Sequence, residues 1–214
     1  IKICKKVFGE EMGIVPYIMP GFQLAQKAAE VFEQNPKVKG LILLNHGIFT
    51  FADDAKESYE LMIKYISLAE KELKQKSKSI RVKKYQEKKI TTSLIANLIR
   101  QQISIKANQQ IDRKVVYFHK PNFLDEFFSH PKLKQLTTQG PVTPDHVIRI
   151  KSKPLVIDLS GEKSVNLESK IIKAIQKYQD DYQRYFKRNH KYNLKANMLD
   201  PYPRLIVVKG IGMF

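Results

Sequence analysis

The stretch Val38-Lys-Gly-Leu-Ile-Leu-Leu-Asn-His-Gly47 decides the fold of the amino-terminal part of the chain. It contains four consecutive apolar residues, Leu41 to Leu44, as expected of a strand that is covered on both faces. We therefore predict a central strand over 38–45. His46 comes at the carboxyl end of this strand, and Gly47 follows it so that the backbone can turn sharply.

The segments on either side of this strand complete an alternation of strands and helices. A short apolar segment before Pro20-Gly21 predicts a first strand. A helix is predicted over 22–34, because Asn35-Pro36 disfavours helical backbone just before the proline. Asp54 and Glu57 resemble a capping box that starts a long helix. Apolar residues at spacings of three and four predict the core-facing stripe of that helix: Ala55, Tyr59, Met62, Ile66, Ala69 and Leu73.

A polar stretch separates this region from the rest of the chain. Seven lysines and arginines fall within 75–89, which indicates an exposed joint. Beyond it, the patterns predict a helix stripe from Ile90 to Ile99, strands over 114–118, 154–159 and 204–208, a short helix over 123–128 and a long helix over 171–185. The fold class is therefore α/β, with a first domain over 1–75, a basic joint over 76–89 and a second α/β region over 90–214.

Composition excludes several classes of protein. The 214 residues are 43% hydrophobic, and they include no apolar run of transmembrane length. The single cysteine, Cys4, excludes an internal disulfide framework and a cysteine-based zinc finger, and it suits a reducing cytoplasm. We expect no signal peptide, because the chain does not open with a charged n-region and an apolar h-region, and the start at Ile1 instead of Met predicts a fragment. We expect a cytoplasmic location and no membrane partner.

The charge is strongly positive. Thirty-eight Lys and Arg against 21 Asp and Glu give 38 − 21 = +17. Such a surface attracts phosphate-rich partners, including a sugar phosphate. The excess is mostly lysine spread along the chain, so a solvated surface explains it more simply than a nucleic-acid interface, and we expect nucleic acid not to be a partner. The helical spacing of Tyr178, Tyr182 and Tyr185 favours a packing surface over a base-stacking platform.

Two groups of residues offer metal-binding or anion-binding chemistry. His46, flanked by Asn45 and Gly47, would hold an imidazole at the sheet edge where α/β sites form, and neutral imidazole is a common zinc ligand. One histidine is not a site, and a structural or capping histidine explains the same pattern. Asp145, His146 and Arg149 follow Pro144; they could bind an anion or a second metal, or they could cap a helix.

The ordered motifs of the chain resemble a known family. Ile14–Phe22, Gly40–Phe51 and the helix start at Asp54 resemble the carboxyl-terminal third of a class II aldolase/adducin domain. Thr143–Ile157 and Asp200–Phe214 resemble the segment that follows this domain in bifunctional rhamnulose-1-phosphate aldolase/alcohol dehydrogenases. The resemblance spans nearly the whole chain, and it implies a layered sheet-and-helix aldolase domain followed by a second, smaller α/β unit.

The resemblance implies a zinc-dependent retro-aldol cleavage of a ketose 1-phosphate, with zinc as the Lewis acid. The products would be dihydroxyacetone phosphate and an aldehyde, lactaldehyde when the sugar is rhamnulose. His46 matches the third zinc histidine of the family. The other two, in a His-x-His element, and the catalytic acidic residue are expected upstream of Ile1. A three-histidine site reduced to one should bind zinc weakly, so we expect the fragment to be inactive.

The resemblance also bears on cofactors and assembly. Family members carry a final short-chain dehydrogenase domain, but no Gly-x-Gly-x-x-Gly fingerprint follows a strand in this chain. NAD would therefore bind only through a missing dehydrogenase domain. Family aldolases form oligomers, so a homo-oligomer is expected.

The two halves of the chain also resemble each other. Leu205–Lys209 and Gly210–Phe214 can be aligned with Leu41–Asn45 and Gly47–Phe51 when a gap is placed at His46, and five of the ten aligned residues are identical. Residues 90–214 could therefore be a degenerate copy of the aldolase-like fold that has lost its metal histidine, although chance similarity explains the match equally well. Different strand orders in the two units would exclude a copy.

Two other functions remain open at this point. The chain could be a non-catalytic adducin-like scaffold that keeps the fold and binds partner subunits. It could also be a basic nucleic-acid-binding module, but only the charge of the chain supports this alternative. A His-x-His element upstream supports the enzyme, and its absence supports the scaffold.

Overall fold

The computed structural model describes residues 1–77, 91–107, 110–161 and 164–214. These residues form a mixed α/β chain of helices and small sheets in two compact units. The first unit contains the described residues up to 77 together with 141–146, although the sequence places 141–146 in the second region. The predicted basic joint falls mostly on 78–89, outside the described residues. Among the described residues, every helix is too short or too polar to cross a membrane.

The first unit is a three-stranded sheet with three helices. The sheet order is β1-β2-β3, in which β1 pairs parallel with β2, and β2 pairs antiparallel with β3. The predicted central strand is therefore confirmed, whereas β3 was not predicted. The elements in chain order are α1 (Lys2–Phe8), β1 (Met12–Val15), α2 (Phe22–Gln34), β2 (Gly40–Leu43), β3 (Gly47–Thr50) and α3 (Ala55–Lys76).

The core of the first unit lies between the sheet and α2. Leu24 of α2 is buried in it, and Ala28 and Val31 pack against it from the same helix face. The helix ends at Gln34, before Asn35-Pro36, as predicted. The buried members of this core are Val15, Leu24, Val38, Leu41 and Leu43.

Helix α3 starts where the sequence predicts, but it buries a different face. The Asp54 carboxylate accepts a hydrogen bond from the Glu57 backbone N–H at 2.9 Å, which confirms the cap. The predicted stripe is wrong, since Tyr59 and Leu73 are 66% and 67% exposed. The buried face is centred on Tyr65, whose hydroxyl donates to Glu11 at 3.0 Å.

The second unit contains a second three-stranded sheet and a separate hairpin. Its sheet order is β6-β7-β8, and its core is packed by α4 and α8. The hairpin pairs β4 with β5, and α7 begins in residues that cluster with the first unit. The elements are α4 (Thr92–Ile103), β4 (Ile105–Ala107), β5 (Gln110–Asp112), α5 (Asp125–Phe128), α6 (Leu133–Thr137), α7 (Pro144–Ile150), β6 (Leu155–Ile157), α8 (Leu167–Asn189), β7 (Ile206–Val208) and β8 (Gly212–Met213).

Most predicted elements of the second unit are confirmed. Helix α5 and strands β6 and β7 fall within the predicted ranges, and helices α4 and α8 contain most or all of the predicted ranges but extend beyond them. The strand predicted over 114–118 is wrong, because only the neighbouring residue His119 pairs with another strand, through Met213. Strand β8, which was not predicted, follows β7 and pairs with it antiparallel.

The two sheets share one topology. Each has a parallel pair connected through a helix, followed by a tight antiparallel hairpin. In the first unit the backbone N–H of Leu44 donates to the Val15 carbonyl at 3.0 Å. In the second unit the N–H of Lys209 donates to the Ile157 carbonyl at 2.9 Å, in the corresponding place. The strand orders therefore do not exclude a degenerate copy.

The hairpin turns fix which residues correspond. The His46 N–H donates to the Leu43 carbonyl, and the Ile211 N–H donates to the Val208 carbonyl, both at 3.0 Å. The residue just before each donor, Asn45 or Gly210, has positive φ, at 56° and 72°. Ile211 therefore occupies the place of His46 without any gap. The gap in the sequence alignment is wrong, because that alignment is one residue out of structural register before the gap and two residues out of register after it.

The close approach of β2 and β3 yields a stability prediction. A Cβ atom at Gly40 would lie 2.3 Å from the Phe49 carbonyl oxygen, whereas one at Gly47 would meet nothing within 4 Å. We expect Gly40→Ala to lower the free energy of unfolding by about 2 kcal/mol or more, because backbone must move. The control Gly47→Ala should change it by less than about 1 kcal/mol. Urea denaturation followed by circular dichroism measures both, and equal effects would contradict the close packing.

Candidate functional site

The turn over 44–46 places His46 at the edge of the first sheet. Leu44 holds this turn to β1 through its hydrogen bond to Val15. Asn45 has a φ of 56°, in the left-handed region that asparagine tolerates better than most residues. Gly47, which was expected to provide the sharp turn, starts β3 without a left-handed φ. Asn45 therefore makes the turn, and Gly47 only follows it.

The His46 imidazole is half-buried and has a vacant nitrogen. Its Nδ1 atom is buried and has no hydrogen-bond partner among the described residues. A buried polar atom left unpaired costs about 1–3 kcal/mol, so native structures rarely keep one without a reason. In the tautomer that is protonated at Nε2, Nδ1 has a free lone pair, and such a nitrogen fits the role of a metal ligand.

A comparison with His130 shows what distinguishes His46. His130 also has a buried, unpartnered ring nitrogen, Nε2. Its other nitrogen, Nδ1, accepts a hydrogen bond from the Lys132 N–H at 3.0 Å. That bond gives His130 a structural role in the turn before α6. Within the described ranges, no hydrogen bond orients the His46 side chain in this way.

The described residues do not complete a metal site around His46. No group of three or more His, Cys, Asp or Glu side chains within residues 1–77, 91–107, 110–161 and 164–214 is arranged to hold a metal ion. Zinc requires three or four such ligands. His46 therefore fits as one ligand, and the described part of the chain offers no group of three ligands that includes it.

The loop after β1 belongs to the same sheet edge. Because β1 and β2 run parallel, loop 16–21 and turn 44–46 leave the sheet at the same end, where ligands bind in α/β folds. Tyr17 and Met19 of this loop are exposed, while Ile18 packs against the core. The loop is thus anchored at its centre and accessible on both sides of that anchor. The sequence analysis did not assign it to the site.

The second polar cluster of the sequence analysis does not converge on one point. Asp145, His146 and Arg149 are all exposed on the short helix α7. His146 Nδ1 is hydrogen-bonded to the Thr143 hydroxyl at 2.6 Å. No hydrogen bond or ion pair joins the three side chains to one another within the described part of the chain. Asp145 lies in the first turn of α7, where its charge favours the helix.

The sequence analysis missed the buried charge of the second unit. Lys151 is only 3% exposed, and its φ is 64°. Its ammonium group donates to the backbone carbonyls of Asp200 and Tyr202. It also lies 3.8 Å from the Asp200 carboxylate and 4.2 Å from the centre of the Tyr182 ring. Lys151 thus ties the segment before β7 to the end of α7.

Burial weakens the proton affinity of this lysine. Loss of solvent, together with the smaller effect of the nearby positive charge of Arg204, lowers the pKa of Lys151 from 10.5 to about 8 against the attraction of Asp200. A neutral amine still has two N–H donors, so it can keep both carbonyl hydrogen bonds. Lys151 can therefore lose its proton without releasing the segment that it holds.

Comparison with known proteins identifies both parts of the chain. Residues 2–73 match the family profile of the class II aldolase and adducin N-terminal domain, and residues 90–214 match that of the aldolase class II second domain. A Bacillus subtilis (strain 168) protein named uncharacterized oxidoreductase YuxG is 27% identical over 222 residues. That alignment covers 99% of this chain and 31% of the relative. No solved structure gives a significant match.

The buried lysine predicts how stability changes with pH. A lysine whose folded pKa lies below its unfolded value opposes folding when both states are charged, and this penalty disappears as pH rises through about 8 toward 10.5. Relative to Lys151→Met, the native chain should therefore gain about 2–3 kcal/mol of unfolding free energy between about pH 7 and about pH 10.

Urea denaturation at both pH values measures this difference. The exposed Lys173→Met variant serves as the control, and its pH dependence should match that of the native chain. If Lys151→Met and the native chain show the same pH dependence, the buried ammonium is not destabilised by burial.

Proposed function

The chain belongs to the class II aldolase and adducin family, and from that premise we propose that it is part of a metal-dependent sugar-phosphate aldolase. The substrate would be a ketose 1-phosphate such as rhamnulose 1-phosphate. Cleavage of one carbon–carbon bond would yield dihydroxyacetone phosphate and an aldehyde. The observation that carries this proposal is the unpartnered Nδ1 of His46 at the edge of a sheet in the matched N-terminal domain.

Zinc, when bound in such an enzyme, would polarise the ketose oxygens and stabilise the enediolate left by cleavage. His46 would supply one ligand, with Asn45 holding the turn that directs the imidazole. The described residues supply no group of three ligands, so we derive no catalytic step from this chain. We accordingly propose that the chain on its own binds zinc weakly and does not cleave the substrate.

The wider protein context is also a proposal. The chain spans 31% of the length of its Bacillus subtilis relative, so related proteins carry much additional sequence. The word oxidoreductase in the name of that relative supports the proposal that, in the parent protein, the aldolase is fused to an alcohol dehydrogenase. NAD would then bind in the dehydrogenase alone. We also propose that the protein is a cytoplasmic homo-oligomer. Its complete aldolase domain would have layers of sheet and helices.

We further propose that the second unit is a degenerate copy of the first. Both have the same strand order, the same hydrogen bond from the turn to the first strand, and a left-handed residue at the same place. Ile211 stands where His46 stands in the first unit, and it is buried. The second copy would therefore have kept the fold and lost the metal ligand.

An adducin-like scaffold is the alternative, and one observation favours it. The outer side of α3 exposes Tyr59, Ile63, Ile66 and Leu73 at helical spacing. An apolar helix face of this kind suits contact with a partner subunit. A scaffold would use this face, and it would need no zinc.

We predict that catalysis depends on His46 in the longest natural polypeptide that contains this chain. His46→Ala should lower kcat/KM for rhamnulose 1-phosphate cleavage by about a hundredfold or more, because a zinc ligand is lost. Zinc content, measured by atomic emission, should fall with it. The exposed control His146→Ala should leave both unchanged.

The same assays on the 214-residue chain test the missing ligands. We expect far less than one zinc per chain and no cleavage. If the 214-residue chain were as active as the long polypeptide, the proposal that the other zinc ligands lie outside this chain would be wrong. Absence of zinc and of cleavage in the long polypeptide would instead establish the scaffold.

A further inference from the structure

A basic groove crosses the second unit, and its lining includes none of the residues of the candidate metal site. It has a volume of about 560 Å³ and lies across the start of β6, between α6 and residues 174–188 of α8. The charged and aromatic side chains that line it are Lys134, Lys153, Lys177, Asp181, Arg184, Arg188, Tyr178, Tyr182 and Tyr185.

We propose that this groove binds a nucleoside di- or triphosphate. Two properties of the lining support this ligand class: an excess of unpaired positive charge, and a pair of aromatic rings next to it. A mononucleotide also fits the volume, since ligand pockets generally measure about 300–1,000 Å³. The proposal does not depend on the aldolase activity, because every lining residue belongs to the second unit.

The charge balance of the lining calls for an anion. Five cationic side chains face one carboxylate, that of Asp181, so the lining carries 5 − 1 = +4. Arg184 pairs with Asp181, and this hydrogen bond is the main reason why the pKa of Asp181 is lowered. Within the described part of the chain, Lys153, Lys177 and Arg188 form no ion pair. Charge-assisted hydrogen bonds from such groups favour the closely spaced charges of a polyphosphate.

The tyrosines favour a ligand that also contains a planar ring. Tyr182 and Tyr185 are stacked, with ring centres 6.2 Å apart and planes inclined by 27°. Tyr185 is 39% exposed, so the stripe predicted to be packing surface becomes accessible at this end of α8. The buried ammonium of Lys151 fixes the Tyr182 ring. A base could extend this stack and contribute binding energy beyond that of the phosphates.

The opposite wall is held in place by a hydrogen bond. The Tyr178 hydroxyl donates to the Lys153 carbonyl at 2.9 Å, which joins α8 to the segment before β6. Burial raises the pKa of Tyr178 to about 12, so this donor stays protonated at physiological pH. The backbone that carries Lys153 is therefore fixed relative to Lys177 on the helix.

Isothermal titration calorimetry of ADP and ATP into the 214-residue chain tests the proposal. The variant Lys153→Gln/Lys177→Gln removes two groove cations and should weaken binding about tenfold or more. The matched control Lys173→Gln/Lys187→Gln removes two exposed lysines of α8 outside the groove and should weaken binding less than about twofold. Circular dichroism and the Tm confirm that each variant is folded.

Pyrophosphate and adenosine separate the two parts of the ligand. Tyr185→Leu should weaken binding of ADP several-fold more than binding of pyrophosphate, because only ADP has a base to stack. Adenosine alone should bind far more weakly than ADP.

Three results would overturn the proposal. The first is the absence of a heat of binding with ADP or ATP at about 1 mM ligand, which would mean that the Kd is far above the millimolar range. The second is equal weakening by the groove variant and its control, which would mean that overall charge attracts the anion. The third is tighter, salt-dependent binding of a single-stranded oligonucleotide that the groove variant loses, which would assign the groove to nucleic acid instead.

Discussion

The short parallel pair of β1 and β2, closed by a left-handed residue, is the constraint on which the first unit depends. The hydrogen bond from Leu44 to Val15 extends this pair by one residue into the turn. Asn45 then reverses the chain, and β3 can return along β2 only because Gly40 has no side chain. The position of His46 follows from these backbone requirements, so a rigid scaffold determines where the imidazole lies before any ligand contributes.

The second unit shows that this scaffold does not require the histidine. The same turn forms there with Gly210 as the left-handed residue and with Ile211, only 8% exposed, in place of His46. An isoleucine satisfies the packing at this position and leaves no polar atom unpaired. The fold is therefore separable from the proposed metal ligand, and the charged and aromatic side chains of the groove in the second unit lie elsewhere, mostly along α8.

Local signals in the sequence predicted the local structure, and long-range contacts account for the failures. Asp54 and Asn35-Pro36 act on neighbouring residues, so the ends of α2 and the start of α3 were predictable. The buried face of α3 was not, because apolar residues occur around most of the helix and Glu11, 54 residues before Tyr65, selects the face. Lys151 was hidden for the same reason, since its partners lie 49 and 51 residues away in a lysine-rich chain.

The Lys151 ammonium group and the His46 Nδ1 atom are both buried polar groups, but only the surroundings of Lys151 account for its burial. Lys151 is buried with two carbonyls, a carboxylate and an aromatic ring around its ammonium group, so its surroundings account for its place. The His46 Nδ1 atom has no such surroundings among the described residues, and no hydrogen bond from them replaces the one to water that it loses on burial. The fold accepts isoleucine at the equivalent position, so retention of histidine in the first unit does not follow from stability. A ligand that binds the free nitrogen would supply the missing interaction.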